Sequence, residues 1–422
     1  MLKRSVACAL LAACLLLAGC GEAAAPASAP SAPSAPSAPA AAPIGDGGGG
    51  QLEYLSDSPD SIGRGAEGEL GYYYVAPAEN GADHANLHFI DGASGQDIVL
   101  CSSPSCTHDS DACPACFSRT PSVVFTGGRL GLLFGSISGG DEPQPAQLDL
   151  MEADGSGRRT VYTFEANQEF GGSVAGDGEN LYFLLATYQG AVPTMSLARL
   201  NLTQGSLTDL CEVDNSTFLV GVACGKLLIK TISGSPLDAA PGSDESAIQQ
   251  AFMGQRHCLK AVDPATGEVT DLLDWGQDEY WELVADDTLY LFSARQGRIH
   301  LTARDLATGA DSEYDLDLSI GEDGYIMSAS KHNGTLLFDL YTGPAGGTLD
   351  VYHWAYSPET GEVREITLYD PVRGYPVRLM GTVGERAVLE VPRYAGNDLY
   401  SFDRYEYVVC SWEDYLNSKL PE

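Results

Sequence analysis

The chain is poor in positive charge. It has 23 Lys and Arg residues against 58 Asp and Glu residues, which gives a formal net charge of −35 at pH 7. Such a field repels nucleic acid and anionic lipid headgroups, so we expect no nucleic-acid partner, and cations, basic peptides and neutral glycans remain. The same acidity would also suit an exported protein that only has to stay in solution.

Recognisable catalytic motifs are missing as well. The sequence has no P-loop, no Gly-x-Ser-x-Gly elbow, no His-Glu-x-x-His motif and no Asp-x-Asp-x-Asp-Gly calcium loop. These absences favour a protein without catalytic activity. They leave open an enzyme that uses acids on separate loops, because carboxylates that converge in space carry no sequence signature.

Residues 1–19 are typical of an export signal. Lys3 and Arg4 precede the apolar run from Val6 to Leu17, which is too short to span a bilayer. The Leu-Ala-Gly-Cys sequence ending at Cys20 resembles the bacterial lipobox, which implies cleavage before Cys20 and diacylation of its thiol. A plain secretory signal is the alternative. We predict a lipoprotein anchored by lipid on the outer face of the cell membrane.

Residues 20–60 are predicted to form a disordered linker that starts at the lipidated cysteine. Four tandem Ser-Ala-Pro units run from Ser28 to Pro39, and Gly47 to Gly50 is a run of glycine. Proline at every third position favours an extended polyproline II chain. This stalk would hold the folded part, residues 61–422, clear of the membrane.

A short turn motif recurs through the folded part. Its copies resemble Asp-x-x-Thr-Gly, in which an Asp, Asn or Ser can bond the backbone two residues on and the final Gly supplies a positive φ. The copies are Asp91 to Gly95, Ala153 to Gly157, Asn201 to Gly205, Asp263 to Gly267, Asp305 to Gly309 and Ser357 to Gly361. Recurrence at roughly 40–60 residues is typical of a bladed propeller.

We therefore predict an all-β fold, a β-propeller of seven four-stranded blades, with six or eight blades as alternatives. The unit is clearest from Trp281 to Leu318, where four strand-like segments are joined by short turns. In such a meander the first-to-second and third-to-fourth turns lie on one face, here named the turn face. The second-to-third loops and the blade connections lie on the other, the loop face. The long, dissimilar loops gather on the loop face, so we expect function there.

Four cysteines and a histidine lie close together between the fourth strand of blade one and the first strand of blade two. They are Cys101, Cys106, His108, Cys113 and Cys116. Thiolates and imidazole are the usual ligands of structural zinc, and the preferred set is the first four, which leaves Cys116 spare. Disulfide bonding is the alternative and suits an exported chain. Either cross-link would be structural first.

Aromatic and acidic residues are concentrated in several blade connections of the loop face. Aromatic planes stack on sugar rings or cations, and carboxylates accept hydroxyl or ammonium donors. The predicted ligand-binding residues are Trp275, Asp278, Glu279, Tyr280, Trp281, Asp323, Tyr325, Arg373 and Tyr375. The alternative is that Tyr280, Trp281, Tyr325 and Tyr375 begin inner strands and pack between blades.

The chain resembles a group of uncharacterised, lipid-anchored propeller lipoproteins of Gram-positive gut bacteria. The matching pieces are the lipobox at Cys20, the segment from Leu100 to Phe117, the repeated Leu-Tyr strands with Thr-Gly turns, and the Trp-Glu-Asp-Tyr-Leu run ending at Leu416. Cys116 stands where we expect asparagine in that group. The resemblance implies a fold and a location and no activity.

Two functional hypotheses follow. The first is a binding, sensing or scaffolding module that engages a glycan, peptide or protein through the loop face. The second is an exported carbohydrate-active hydrolase or lyase that uses acids and aromatics such as Asp278, Glu279 and Tyr280. Turnover of a polysaccharide that disappears in a Glu279→Gln variant would favour the second.

Overall fold

The recurring Asp-x-x-Thr-Gly-like runs form tight turns between antiparallel strands. In five of the six copies the backbone N–H of the glycine donates to the carbonyl of the first residue, as Gly267 does to Asp263 at 2.8 Å. The Asp263 carboxylate also accepts from the N–H groups of Ala265 and Thr266, at 2.8 and 2.9 Å. The copy that starts at Ala153 lacks this side-chain acceptor. There the next residue, Asp154, accepts from the backbone N–H of Ser156 at 2.9 Å.

The strands joined by these turns belong to seven sheets. The computed structural model describes residues 51–56, 65–78, 84–101, 103, 105–110, 112–137, 143–190, 192–234, 254–276, 279–321, 324–342, 350–396 and 401–421. Blade one contains β2 (Ala66–Glu67), β3 (Gly71–Pro77), β4 (Ala85–Asp91), β5 (Asp97–Val99) and β6 (Cys116–Phe117). Blade two contains β7 (Ser122–Thr126), β8 (Arg129–Phe134), β9 (Gln147–Glu152) and β10 (Arg159–Thr163). Blade three contains β11 (Gln168–Gly176), β12 (Asn180–Thr187), β13 (Thr194–Asn201) and β14 (Ser206–Val213).

Four further blades follow along the chain. Blade four contains β15 (Thr217–Ala223), β16 (Lys226–Ser233), β17 (Arg256–Val262) and β18 (Val269–Trp275), and blade five contains β19 (Glu279–Ala285), β20 (Thr288–Arg295), β21 (Arg298–Asp305) and β22 (Asp311–Ser319). Blade six contains β23 (Tyr325–His332), β24 (Thr335–Thr342), β25 (Asp350–Tyr356) and β26 (Val363–Ile366), and blade seven contains β27 (Arg378–Val383), β28 (Arg386–Tyr394) and β29 (Phe402–Ser411). The predicted seven-bladed propeller is confirmed. Within the described residues, blade seven has three strands and is followed by the helix α1 (Trp412–Leu416).

Blade seven packs against blade one and closes the ring. The Tyr72 hydroxyl on β3 donates to the Met380 carbonyl on β27 at 2.8 Å. The Thr382 hydroxyl donates to the Glu67 carboxylate on β2 at 2.6 Å, and Arg386 donates to the carbonyl of Gly92 at 2.7 Å. Side chains and backbone groups therefore join the first and last blades where the sheets themselves do not share a strand.

The short turns gather on one face, as the meander requires. The backbone N–H of Cys224, in the first turn of blade four, donates to the Asp287 carboxylate in the first turn of blade five at 2.6 Å. In the same way the Asn333 side chain of blade six donates to the Gly384 carbonyl of blade seven at 2.9 Å. Neighbouring turns thus hold each other on the turn face, and the longer loops lie at the opposite ends of the strands.

One strand lies inside the ring. The segment β1 (Glu53–Ser56) pairs antiparallel with β11, the innermost strand of blade three, with Glu53 opposite Gly176 and Tyr54 opposite Ala175. It also lies against the innermost strands of blades two and four. The folded part therefore includes Glu53–Ser56, a segment that the sequence analysis assigned to the linker.

Apolar side chains pack mainly between neighbouring blades. One cluster joins Val124 and Leu148 of blade two to Val174 and Phe183 of blade three, and comparable clusters fill most of the other blade boundaries. This packing supplies the main favourable free energy of the fold. Within the described ranges, no helix has the length and apolarity needed to cross a membrane.

Two turn glycines provide a matched test of this packing. Gly267 and Gly361 both have a φ near +70°, but a Cβ on Gly267 would lie 2.3 Å from the Leu210 carbonyl oxygen, whereas a Cβ on Gly361 would meet no atom within 4 Å. Gly361→Ala should lower the free energy of unfolding by about 1 kcal/mol, the cost of a positive φ alone. Gly267→Ala should cost at least about 2 kcal/mol more, because backbone has to move. Urea unfolding of both variants measures the difference, and equal losses would contradict the inter-blade contact.

Candidate metal centre and loop-face patch

The fourth strand of blade one is interrupted by a long excursion. Both β5 and β6 pair with β4, and between them the backbone of Leu87 bonds to both ends of the excursion: its carbonyl accepts from Leu100 and its N–H donates to Ala115, each at 2.8 Å. Residues 101–115 therefore leave and rejoin the same strand. The cysteine segment lies between β5 and β7, as predicted, and the structure adds that its end returns to blade one, because β6 pairs with β4.

Four side chains converge within this excursion. The ligand atoms of Cys101, Cys106, His108 and Cys113 all lie within 4.8 Å of one another, and His108 Nδ1 is 3.4 Å from Cys113 Sγ. Ligands of a tetrahedral zinc ion, about 2.0–2.3 Å from the metal, stand roughly 3.5 Å apart. A Cys₃His set with this spacing can hold a metal ion with little rearrangement. These are the four residues that the sequence analysis preferred.

The backbone presents His108 and Cys106 to the centre of the cluster. His108 has a φ of +54°, an uncommon conformation for a residue with a side chain. Its carbonyl accepts from the buried Asn86 side chain at 3.0 Å, which fixes that conformation. The His108 backbone N–H donates to Cys106 and lowers the pKa of that thiol, whereas burial raises the pKa of Cys113 to about 12.

Cys116 is not part of the cluster. It lies on β6, is buried, and packs into the core between blades one and two. Beside it the Arg158 guanidinium lies 4.7 Å from the centre of the Phe117 ring, pairs with Asp149 at 2.9 Å, and donates to the Pro114 carbonyl at 3.3 Å. The C-terminal end of the excursion is thus held by the packing of Cys116 in the core and by the contacts of the Arg158 side chain. None of the described cysteines forms a disulfide.

A second group of side chains lies on the loop face of blades six and seven. The connection between these blades folds back on itself as a small hairpin, since Val377 N–H donates to Leu368 and Asp370 N–H donates to Tyr375, both at 2.8 Å. The Asp370 carboxylate accepts from Val372 and Arg373, and Gly374 donates to the Asp370 carbonyl. The Asp370 to Gly374 turn has the same hydrogen bonds as the Asp-x-x-Thr-Gly-like turns of the other blades, but it lies on the loop face instead of the turn face.

The hairpin carries two exposed residues into an aromatic surface. Arg373 stacks over Phe402 with 5.8 Å between the guanidinium carbon and the ring centre, and Tyr375 is 55% exposed. Tyr325 and Tyr341 are stacked in parallel with ring centres 5.1 Å apart. We name these residues, together with Tyr394 and Tyr405, the loop-face patch; its members are Tyr325, Tyr341, Arg373, Tyr375, Tyr394, Phe402 and Tyr405.

Electrostatic contacts tie the patch together. Burial first, and then charges that include Asp339, Tyr325 and Tyr375, raise the pKa of Tyr341. Burial alone would raise the pKa of Asp370, but hydrogen bonds from the backbone N–H of Arg373 and, at 2.7 Å, from the Tyr394 hydroxyl outweigh it and leave that pKa below its usual value. The patch therefore combines flat aromatic rings with the Arg373 guanidinium, which lies 4.0 Å from the buried Asp370 carboxylate.

The structure brings three of the predicted ligand-binding residues together in this patch, namely Tyr325, Arg373 and Tyr375. Trp281 lies on β19, the innermost strand of blade five, and is about one-third exposed. Trp275 ends β18, is buried, and stacks on His257 with ring centres 5.5 Å apart, so its role is in the core. Asp278 and Asp323 lie outside the described residues, as do the side chains of Glu279 and Tyr280.

Four aromatic members of the patch were missed by sequence reasoning, and one of them, Tyr341, lies near the end of β24. Tyr394 ends β28, and Phe402 and Tyr405 lie near the start of β29. They read as ordinary strand residues, and only the register of β28 with β29 places them beside Arg373. The useful signal would have been the Asp370 to Gly374 run, which repeats the turn motif in a blade connection.

Comparison with known proteins adds little beyond the fold. No protein-family model and no curated protein matches the chain. Similar solved structures include an oligogalacturonate lyase in complex with manganese, with 20% identity, a TM-score of 0.44, and coverage of 68% of this chain and 72% of that chain. They also include the β-propeller domain of the Trilobed protease from Pyrococcus furiosus, with 13% identity, a TM-score of 0.47, and coverage of 87% of this chain and 98% of that chain. TolB from Acinetobacter baumannii has 11% identity and a TM-score of 0.35, with coverage of 83% of this chain and 76% of that chain. None of these likenesses is close enough to assign an activity.

Proposed function

We propose that the protein is a lipoprotein, anchored through Cys20 on the outer face of the membrane, whose propeller binds an extracytoplasmic glycan or peptide through the loop-face patch. The observation that carries the proposal is the patch itself. Solvent-exposed aromatic planes beside a guanidinium are the usual means of holding sugar rings, peptide side chains or carbonyl groups. The patch lies on rigid strands and on one short hairpin, so little order has to be gained on binding.

The direction of β1 supports this arrangement. Glu53 pairs with Gly176 at the turn-face end of β11, and Ser56 pairs with Val174, two residues closer to the loop face. The chain that precedes Glu53 therefore starts on the turn face. A membrane anchor at Cys20 would thus be joined to the propeller at its turn face, on the side opposite to the loop-face patch.

We further propose that the Cys₃His cluster holds a structural zinc ion. Three thiolates and an imidazole complete a tetrahedron, which leaves no position for substrate and argues against catalysis by this metal. Zinc would link the two halves of an excursion that is tied to the sheet at its ends by Leu87 and near its middle by the Asn86 side chain. The ion would keep the residues that follow Val99 in register with β4.

The binding proposal is tested on arrays of glycans and peptides with the chain that begins at Gly21. The Tyr375→Ala variant should lose at least about tenfold in affinity for the strongest hit, as expected when an exposed aromatic anchor is removed. The matched control is Leu70→Ala, which removes an exposed apolar side chain from the turn face. A blank array, or equal losses in both variants, would contradict binding through the patch.

A further inference from the structure

The strand β1 occupies an edge that propeller blades normally leave without a partner. The innermost strand of a blade has one edge paired with the second strand and one edge directed at the central channel. In the described part of the ring, only β11 has a further strand on its channel side, and that strand comes from the N-terminal segment of the same chain. The segment thus has the position of a bound extended peptide.

Side chains of this segment fit separate contacts on the channel wall. The Tyr54 hydroxyl donates to the Leu219 carbonyl of blade four at 3.2 Å, and Leu52 and Tyr54 pack on the boundary between blades three and four. Leu55 points the other way and packs between blades two and three. A Cβ on Gly176 would lie 2.8 Å from Leu55 Cδ1, so the glycine makes room for this leucine. Main-chain pairing with side-chain contacts at chosen positions is how peptides are recognised by strand addition.

The strand β1 is held more loosely than a strand of the protein core. Tyr54 and Leu55 are only half-buried, and Glu53 is exposed. A bulge at Leu55 breaks the pairing after two residues. Toward the loop face, none of the described residues pairs with the channel-side edge of β11 beyond Val174. In the sequence, a run of four glycines precedes Gln51.

We propose that the channel-side edge of β11 is a binding site for an extended peptide, and that Leu52 to Ser56 is its resident occupant in cis. The site accepts a backbone in β conformation with large apolar side chains at the positions of Leu52, Tyr54 and Leu55. A peptide that enters from the loop face pairs with β11 and displaces the segment. The site is separate from the loop-face patch, so its existence does not depend on the proposed function.

The experiment separates the segment from the propeller without removing it. A site for a specific protease is inserted between Pro59 and Asp60 in the chain that begins at Gly21, and the protein is compared before and after cutting. The probe is a fluorescent peptide with the sequence of residues 50–57, and the control peptide carries Tyr54→Pro and Leu55→Asp. While it is covalently attached, the segment competes at an effective concentration in the millimolar range, and cutting lowers this to its free concentration.

The probe should bind the cut protein at least about tenfold more tightly than the uncut protein, and the control peptide should bind neither. Native mass spectrometry should show the N-terminal fragment leaving as the probe binds, while circular dichroism and the melting temperature of the propeller stay unchanged. Equal binding before and after cutting, or no binding to either form, would overturn the proposal. So would unfolding of the propeller on release of the fragment, because β1 would then be a structural pin.

Discussion

Replacement of Cys113 by alanine is expected to abolish zinc binding and to destabilise the protein. The residue is buried and supplies one of four converging ligand atoms. Three remaining ligands bind zinc far more weakly, and the excursion would lose its cross-link. The free energy of unfolding should fall by about 2–5 kcal/mol, the usual cost of losing a native cross-link. Zinc per chain is measured by elemental analysis, and stability by denaturant unfolding.

Cys116 provides the control for this prediction. It belongs to the same segment and is equally buried, but it lies on β6 and outside the cluster. The Cys116→Ala variant should keep its zinc and lose about 1 kcal/mol or less, the cost of a small cavity. Loss of zinc in Cys116→Ala, or full zinc retention in Cys113→Ala, would show that the ligand set is wrong.

Replacement of Tyr415 by alanine is expected to have a comparable effect on stability. Tyr415 on α1 is fully buried between blades six and seven, and burial raises its pKa. Its hydroxyl lies 2.7 Å from His353 Nε2, and His353 Nδ1 lies 2.6 Å from the Asp339 carboxylate. Tyr415→Ala removes the ring and leaves the histidine without this partner, so we expect a loss of about 3–5 kcal/mol. Denaturant unfolding measures it.

Two variants divide that loss into its causes. Tyr415→Phe keeps the ring and removes only the hydroxyl, so it should cost about 1–3 kcal/mol, the penalty for an unsatisfied buried polar group. Tyr405→Ala removes an exposed ring from the neighbouring strand β29 and should cost under about 0.5 kcal/mol. If Tyr415→Phe were as destabilising as Tyr415→Ala, packing of the Tyr415 ring between blades six and seven would contribute little to stability, contrary to this account.

Local chemistry explains what could be predicted from the sequence. The turn at Asp263 to Gly267 depends on a side-chain acceptor and a positive φ within five residues, so it can be read from the chain directly. Repetition of that turn predicts the blades, and the alternation of turns and loops predicts the two faces. The members of the candidate metal cluster were also identifiable, because Cys101 to Cys113 are close in sequence and thiolates and imidazole are the usual ligands of structural zinc.

Pairing between distant residues explains what was missed. The short run Leu-Glu-Tyr-Leu at residues 52–55 carries no sign that its partner is β11, more than 100 residues later. The interruption of the fourth strand of blade one depends on Leu87 bonding to both Leu100 and Ala115, which no local pattern indicates. Trp275 lies next to the connection between blades four and five, which suggested a ligand-binding residue, but it is the last residue of β18 and is buried against His257. In each case tertiary contact, rather than local propensity, sets the outcome.

X-ray absorption at the zinc edge of the native protein is the most direct measurement of the proposed metal centre. Three sulfur ligands at about 2.3 Å and one nitrogen ligand at about 2.0 Å, with one zinc per chain, are the predicted result. Protein purified without a reducing agent that carries no metal, with Cys101, Cys106, Cys113 and Cys116 paired in two disulfides, would contradict it.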